Sequence, residues 1–219
     1  MTLPNNYILE RKEVKHARIR VNDNLSVRVL VPSNFSNNEI QFLLKKKQKW
    51  IDKHLNNFRK KKDNIKLYHN QLLLFGSCYT YYFIPQHHNK VVIDHNSKTI
   101  QSGSNLLDKA EQLKWYRRFA KQYLPIRLDE LAKEYGFRFN KVFIRAQRTK
   151  WGNCSSKKNL SFNWRLIKTP PMVIEYLIIH ELVHTRTMNH HQKFWTEIKS
   201  LYPDYQEAVK WLGKYGNSL

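Results

Sequence analysis

The sequence predicts an α+β protein in two parts. Residues 1–104 read as a β-rich module with one helix, and residues 105–219 as an α+β domain with one apolar helix packed on a small sheet. Three observations carry this. Short alternating apolar runs crowd the first hundred residues, helical periodicity dominates after Leu106, and the apolar stretch Val173–His184 holds the pattern His-Glu-x-x-His. With 219 residues, 41% of them hydrophobic, the chain can build one large core or two small ones.

Ala17, Ile19 and Val21 share one parity, and Leu25, Val27, Val29 and Val31 resume it beyond Asn22–Asn24. The spacing predicts two strands joined by a short polar loop and stopped at Pro32. Ser36 and Glu39 form a capping box. Ile40, Leu43, Leu44, Trp50, Ile51, Leu55 and Phe58 then recur at helical spacing, and Lys45–Lys47, Lys49 and Lys60–Lys62 read as a solvated face. Leu72–Phe75, Tyr79–Ile84 and Val91–Ile93 are strand-like, with Gly76 and Gln86–Lys90 at turns. His95–Asn105 is polar and linker-like, which sets the boundary near residue 104.

Leu106, Leu113, Tyr116, Phe119, Ala120 and Tyr123 predict an amphipathic helix that Pro125 kinks or ends. Leu128, Leu131, Ala132 and Tyr135 predict a second one reaching Gly136, a suitable C-cap. Val142–Ala146 and Leu160–Trp164 read as strands, with turns at Trp151–Gly152 and Lys157–Asn159 between them. Thr169 as N-cap and Pro170 in the first turn start the next helix. Phe194, Trp195, Ile198, Leu201 and Tyr202 predict another, broken at Pro203. Tyr205, Ala208, Val209, Trp211 and Leu212 predict a last one. Their aromatic rings read as packing around the histidine-bearing helix.

That helix is apolar nearly all round, through Val173, Ile174, Leu177, Ile178, Leu182 and Val183, so it should be buried. His180 and His184, at i and i+4, share one face and can hold one ion. Glu181 is placed to take a proton from a water that such an ion activates. Three polar groups in an apolar helix need partners, and a metal satisfies them together. A catalytic zinc usually has three protein ligands and an open position. His190 follows His184 by six residues, the step of the metzincin pattern, and His191 follows by seven. Thr187 stands where that pattern has glycine and no Met-turn follows, so the spacing matches without metzincin membership. Asn189 tolerates a left-handed turn that would swing a following histidine back. Glu197 and Glu207 are alternative third ligands, although both read more simply as exposed helix charges.

Lys+Arg is 39 against Asp+Glu 17, a net charge of +22. This balance admits a polyanion partner: nucleic acid, an anionic membrane face or acidic protein. Apolar runs such as Leu72–Phe75 are too short to span a bilayer, and the first residues lack the apolar core of a secretion signal. Two cysteines, Cys78 and Cys154, do not make a disulfide framework. These features predict a cytoplasmic protein with reduced thiols.

Arg148–Ser155 (RTKWGNCS), Leu160–Leu166 (LSFNWRL), Pro170–His184 (PPMVIEYLIIHELVH) and Asn189–Trp195 (NHHQKFW), together with Leu43–Leu55 (LLKKKQKWIDKHL), resemble the YgjP-like family of zinc metallopeptidases. That family is related to SprT-like and minigluzincin-type proteins. The resemblance implies a zincin-like C-terminal domain, Zn2+ as cofactor and a protein or peptide substrate. It implies His180 and His184 as the first two zinc ligands, His190 as the third, and Glu181 as the catalytic acid/base. His191 stands where the family has serine, and would act beside the metal by hydrogen bonding or proton donation. Arg148, Trp151 and Cys154 also match, and Arg148 suits stabilisation of an oxyanion or a substrate carboxylate. The expected function is zinc-dependent peptide hydrolysis. One alternative is a metal-dependent nucleotide pyrophosphatase or phosphohydrolase, which the charge suits but no phosphate-binding glycine loop supports. Another is a nucleic-acid-associated protein of SprT-like character, with protease activity or with structural zinc.

Overall fold

A computed structural model describes residues 7–22, 25–62, 69–88, 90–147, 149–216 and 219, with the side chains of 57–62, Phe58 among them, outside the described set. The chain is α+β and divides into two compact units, residues 1–66 and 67–217.

In the first unit, β3 (Val27–Pro32) is central, antiparallel to β2 (Arg18–Val21) and parallel to β1 (Tyr7–Lys12). Val27, Val29 and Val31 alternate inward onto Ile40, Leu44, Ile51 and Leu55 of α1 (Asn37–Lys62), as the periodicity predicts. The capping box forms: the Glu39 carboxylate accepts the Ser36 backbone N–H at 2.8 Å, and the Ser36 hydroxyl accepts the Glu39 N–H at 3.3 Å. Trp50 leaves the apolar stripe; it is exposed, with its ring against His54. Of the expected hairpin loop Asn22–Asn24, residues 23 and 24 lie outside the described set. The strand β1 has no alternation to announce it, and Tyr7, Ile8 and Leu9 all stay exposed.

The second unit begins with a four-stranded sheet of β4 (Gln71–Leu74), β5 (Ser77–Phe83), β6 (Val91–Asp94) and β7 (Thr99–Ser102), in the order β4-β5-β7-β6. The linker-like stretch therefore contains a strand, and an interior one. Asp94 Oδ1 accepts the N–H groups of Asn96 at 2.8 Å and Ser97 at 3.2 Å. Those polar residues make a tight turn, and Ile100 beyond them is fully buried. This displaces the expected boundary at 104. Leu72, Leu74, Tyr79, Tyr81 and Ile100 share one core with the helices that follow, and the Tyr116 hydroxyl donates to the Leu73 carbonyl at 2.8 Å.

The two helices expected around Pro125 are one, α2 (Lys109–Glu134). Proline removes the bond to the Lys121 carbonyl, at a cost of about 3 kcal/mol in a helix interior. Lys121 is exposed, so water can satisfy that carbonyl, while Trp115, Tyr116, Ala120, Leu124, Leu128, Leu131 and Ala132 bury the other face. Gly136 ends the helix as expected. At φ +65° it lets Phe137 N–H reach the Ala132 carbonyl at 2.8 Å, and its own N–H reach Lys133 at 3.3 Å.

A second sheet follows, of β8 (Val142–Arg145), β9 (Gly152–Cys154) and β10 (Leu160–Asn163), in the order β8-β10-β9. Of the expected turn at Trp151–Gly152, Trp151 is a bend and Gly152 starts an edge strand antiparallel to β10. A 3-10 turn over Trp164–Lys168 leads to α3 (Pro171–Val183). Pro170, not Thr169, is the N-cap; the Thr169 hydroxyl donates back to the Leu166 carbonyl at 2.8 Å and closes the preceding turn. The chain continues through α4 (Gln192–Leu201) and α5 (Tyr205–Tyr215). No described helix is long and apolar enough to cross a membrane.

Asn163 ties this region together. Its Nδ2 donates to the carbonyls of Gln147 at 2.8 Å and Lys150 at 3.2 Å, and its Oδ1 accepts the Arg165 N–H at 3.1 Å. The side chain is buried, so Asn163→Ala strands three backbone groups. Urea denaturation should show a loss of about 2–3 kcal/mol, and a loss below about 1 kcal/mol would contradict the bracing role.

Candidate active site

The helix α3 is buried because Val173, Ile174, Leu177, Ile178, Ile179, Leu182 and Val183 leave no polar face. Its last turn carries His180, Glu181 and, as C-cap, His184. The connector through Thr187 and Asn189 turns the chain back before α4. That return brings His190 Nε2 to 3.1 Å from both His180 Nε2 and His184 Nε2. One ligand atom from each of these three residues lies within 4.8 Å of the others. Phe194, fully buried, supports all three rings at centroid distances of 4.9, 4.5 and 4.7 Å. Trp195 lies 5.8 Å from the His190 ring and stacks on Tyr205, and Tyr205 stacks on Tyr176.

Hydrogen-bond accounting favours a cation among these nitrogens. The Thr187 carbonyl, 3.0 Å from His184 Nδ1, can only accept, so the His184 proton sits on Nδ1 and Nε2 carries a lone pair. Tyr176 Oη lies 3.4 Å from His180 Nδ1; accepting there, it leaves the His180 Nε2 lone pair free in the same way. His190 Nε2–H could donate to one of these atoms but not to both. Burial, then the neighbouring His184 and His190, push the His180 imidazole down to about 3. His184 is lowered as well, chiefly by burial. Both are therefore neutral at physiological pH, the form that binds metal.

Glu181, next to His180 on the same turn, is buried against β9. Gly152 of β9 lies so close that a Cβ there would stand 2.5 Å from Glu181 Oε1. Oε2 is buried without a partner among the described residues. Burial raises the carboxyl from its ordinary 4.5 to about 8, against the opposing charge of Lys150. Sequence reasoning gives no sign of this contact between Glu181 and Gly152, which depends on where β9 lies. Tyr176 was open to detection, since it stands four residues before His180 on the same helix face.

The other expected site residues fall elsewhere. His191 is exposed at the N-cap of α4 and is not in the three-histidine group. Glu197 pairs with Arg186 at 3.0 Å, and Glu207 is exposed in the first turn of α5. Cys154 is a free thiol on β9, raised to about 11 by burial and by Glu181. Arg148 lies outside the described residues.

No curated protein matches the chain closely enough to count as a relative. Among solved structures, the chain is similar to the crystal structure of the metallopeptidase zymogen of Pyrococcus abyssi abylysin. The likeness is partial: TM-score 0.38 and 21% identity, over 42% of this chain and 93% of that one. A family model described as the YgjP-like metallopeptidase domain matches residues 15–215, nearly the whole chain. The chain belongs to the YgjP-like metallopeptidases, metal-dependent hydrolases of protein or peptide substrates.

Proposed function

We propose that His180, His184 and His190 hold a zinc ion and that Glu181 is the general acid/base of peptide-bond hydrolysis in the cytoplasm. The observation that carries this reading is the convergence of three histidine ligand atoms, two of them from the helical turn that also bears Glu181, whose buried Oε2 has no partner among the described residues. Three imidazoles with a position left open suit catalytic zinc, whereas a structural site closes with four ligands. When bound, zinc supplies Lewis acidity, polarising a carbonyl and making water a nucleophile near neutral pH. Thr187 and Tyr176 fix the orientation of two imidazoles. Gly152 leaves room for Glu181, which takes a proton from the attacking water and returns it to the leaving amine.

The edge of β9 supports an extended substrate. The Trp151 carbonyl accepts the Asn163 N–H at 2.8 Å, and the Ser155 N–H donates to the Asn159 carbonyl at 2.9 Å. By alternation, Gly152 and Cys154 turn their backbone groups away from β10, and no described strand pairs on that side. A peptide strand added there would run alongside Gly152, the residue packed against Glu181. The two free thiols support a reducing compartment.

Metal analysis tests the assignment. Wild-type chain should carry one zinc. His180→Ala, His184→Ala and His190→Ala should each lose it, and His191→Ala and Glu181→Gln should keep it. Zinc retained in His190→Ala but lost in His191→Ala would reverse the choice of third ligand.

A further inference from the structure

Between Phe137 and Ile174 the chain has nine Lys and Arg residues and no Asp or Glu. Some of this charge converges on the second unit. Arg117 and Lys121 on α2, Ile144 and Arg145 of β8, Ala146 and Trp164 line an open recess of about 280 Å³. Arg165 and Lys168 adjoin it through the Trp164 ring, their cationic groups 4.9 and 5.3 Å from its centroid. Among the described residues, none of these five cations pairs with a carboxylate.

Such clustering is costly in a free protein. Burial and the nearby Arg117 lower Arg165, and burial and Arg165 push Lys168 down to about 8. Aromatic faces, rather than acids, hold three of the cations, Arg145, Arg165 and Lys168, in place. The Arg145 guanidinium lies over Phe143 at 5.1 Å, and Lys168 Nζ over Tyr116 at 4.2 Å. Stacking fixes a guanidinium plane and leaves its N–H edges free, the arrangement that forks onto an oxyanion. Several cations around one recess suit a dianionic or repeating anion better than a single carboxylate.

We propose that the recess formed by Arg117, Lys121, Arg145 and Trp164 is a binding site for a phosphate group. The phosphate comes from a nucleotide or from a nucleic-acid backbone, and its binding is independent of the peptidase reading. The full chain is titrated with a labelled single strand of about 12 nucleotides, within the usual span of one binding groove, at several salt concentrations. Arg117→Ala/Lys121→Ala/Arg145→Ala, all at exposed positions, should bind at least about tenfold more weakly. Its log K against log salt slope should fall by about 2, at roughly 0.7 per lost phosphate contact. A charge-matched variant, Lys133→Ala/Lys199→Ala/Lys210→Ala, should stay within about twofold, with its slope changed by less than one such contact. Competition by ATP or inorganic phosphate at low concentration assigns the site to small phosphates, and its absence assigns it to the backbone; either supports the proposal. Equal weakening in both triple variants would overturn it in favour of diffuse charge. Equal competition by a poly-glutamate peptide, lost in the recess variant, would overturn it in favour of an acidic peptide.

Discussion

Glu181→Gln is expected to lower peptide hydrolysis by about 10²–10⁴-fold, the usual contribution of a positioned acid/base, while stabilising the metal-free chain above neutral pH. The unfolded carboxyl titrates near 4.5 and the folded one near 8. Between those values the native chain keeps a proton that the unfolded chain has released. Its stability therefore falls as pH rises through this window, and the full penalty stands above about 8. Glutamine has nearly the same shape and no charge to bury. The gain should be absent below pH 4.5, grow across the window and reach on the order of 5 kcal/mol at pH 9. The depressed titration of His180 is common to both chains and drops out of the difference. Urea midpoints with a chelator present, at pH 4 and pH 9, read this directly. An equal gain at both pH values would refute the buried-carboxylate account, and hydrolysis within tenfold of wild type would remove Glu181 from the chemistry.

Gly152→Ala should be nearly as damaging, although glycine is neither acid nor ligand. The added methyl would stand 2.5 Å from Glu181 Oε1, 2.7 Å from its Cγ and 2.9 Å from its Cδ. That side chain is buried and cannot swing into solvent, so either the carboxylate or β9 must move. Overpacking of this kind costs about 1–3 kcal/mol. A misplacement of about 1 Å in a reacting group costs about 10²-fold in rate. The expected variant binds metal normally, turns over about a hundredfold more slowly and unfolds at lower urea. Gly213→Ala is the control. Nothing lies within 4 Å of its added methyl, and a helical glycine replaced by alanine should gain about 0.5–1 kcal/mol. If Gly152→Ala behaves like Gly213→Ala, β9 does not confine the carboxylate.

The parts of this architecture legible in sequence are those with a local cause. Ser36 and Glu39 cap a helix three residues apart, Gly136 stops one, and the steps His180–His184–His190 are spacings along one turn and one connector. The missed elements depend on partners far along the chain. Gly152–Cys154 has the composition of a turn and becomes a strand because Leu160–Phe162 pairs with it. Thr99–Ser102 hides behind turn-forming residues and is secured by β5 and β6 on either side. Pro125 would break an isolated helix; here the packing on its far side outweighs one lost bond. The site divides the same way. Its imidazoles were visible in sequence, and the confinement of its carboxylate was not.

The proposed ligand histidines span only residues 180–190. Closing so short a loop costs little chain entropy, so the unfolded polypeptide keeps some affinity for the ion. A metal ion bound by these proposed ligands would gather them during refolding before the sheets exist. It then protects the native state by less than its native affinity implies, because part of that affinity belongs to the denatured ensemble as well. The contact of Glu181 with Gly152 has no such head start. It waits for β9 to dock, so a metal held by the proposed ligands would be captured before Glu181 is confined.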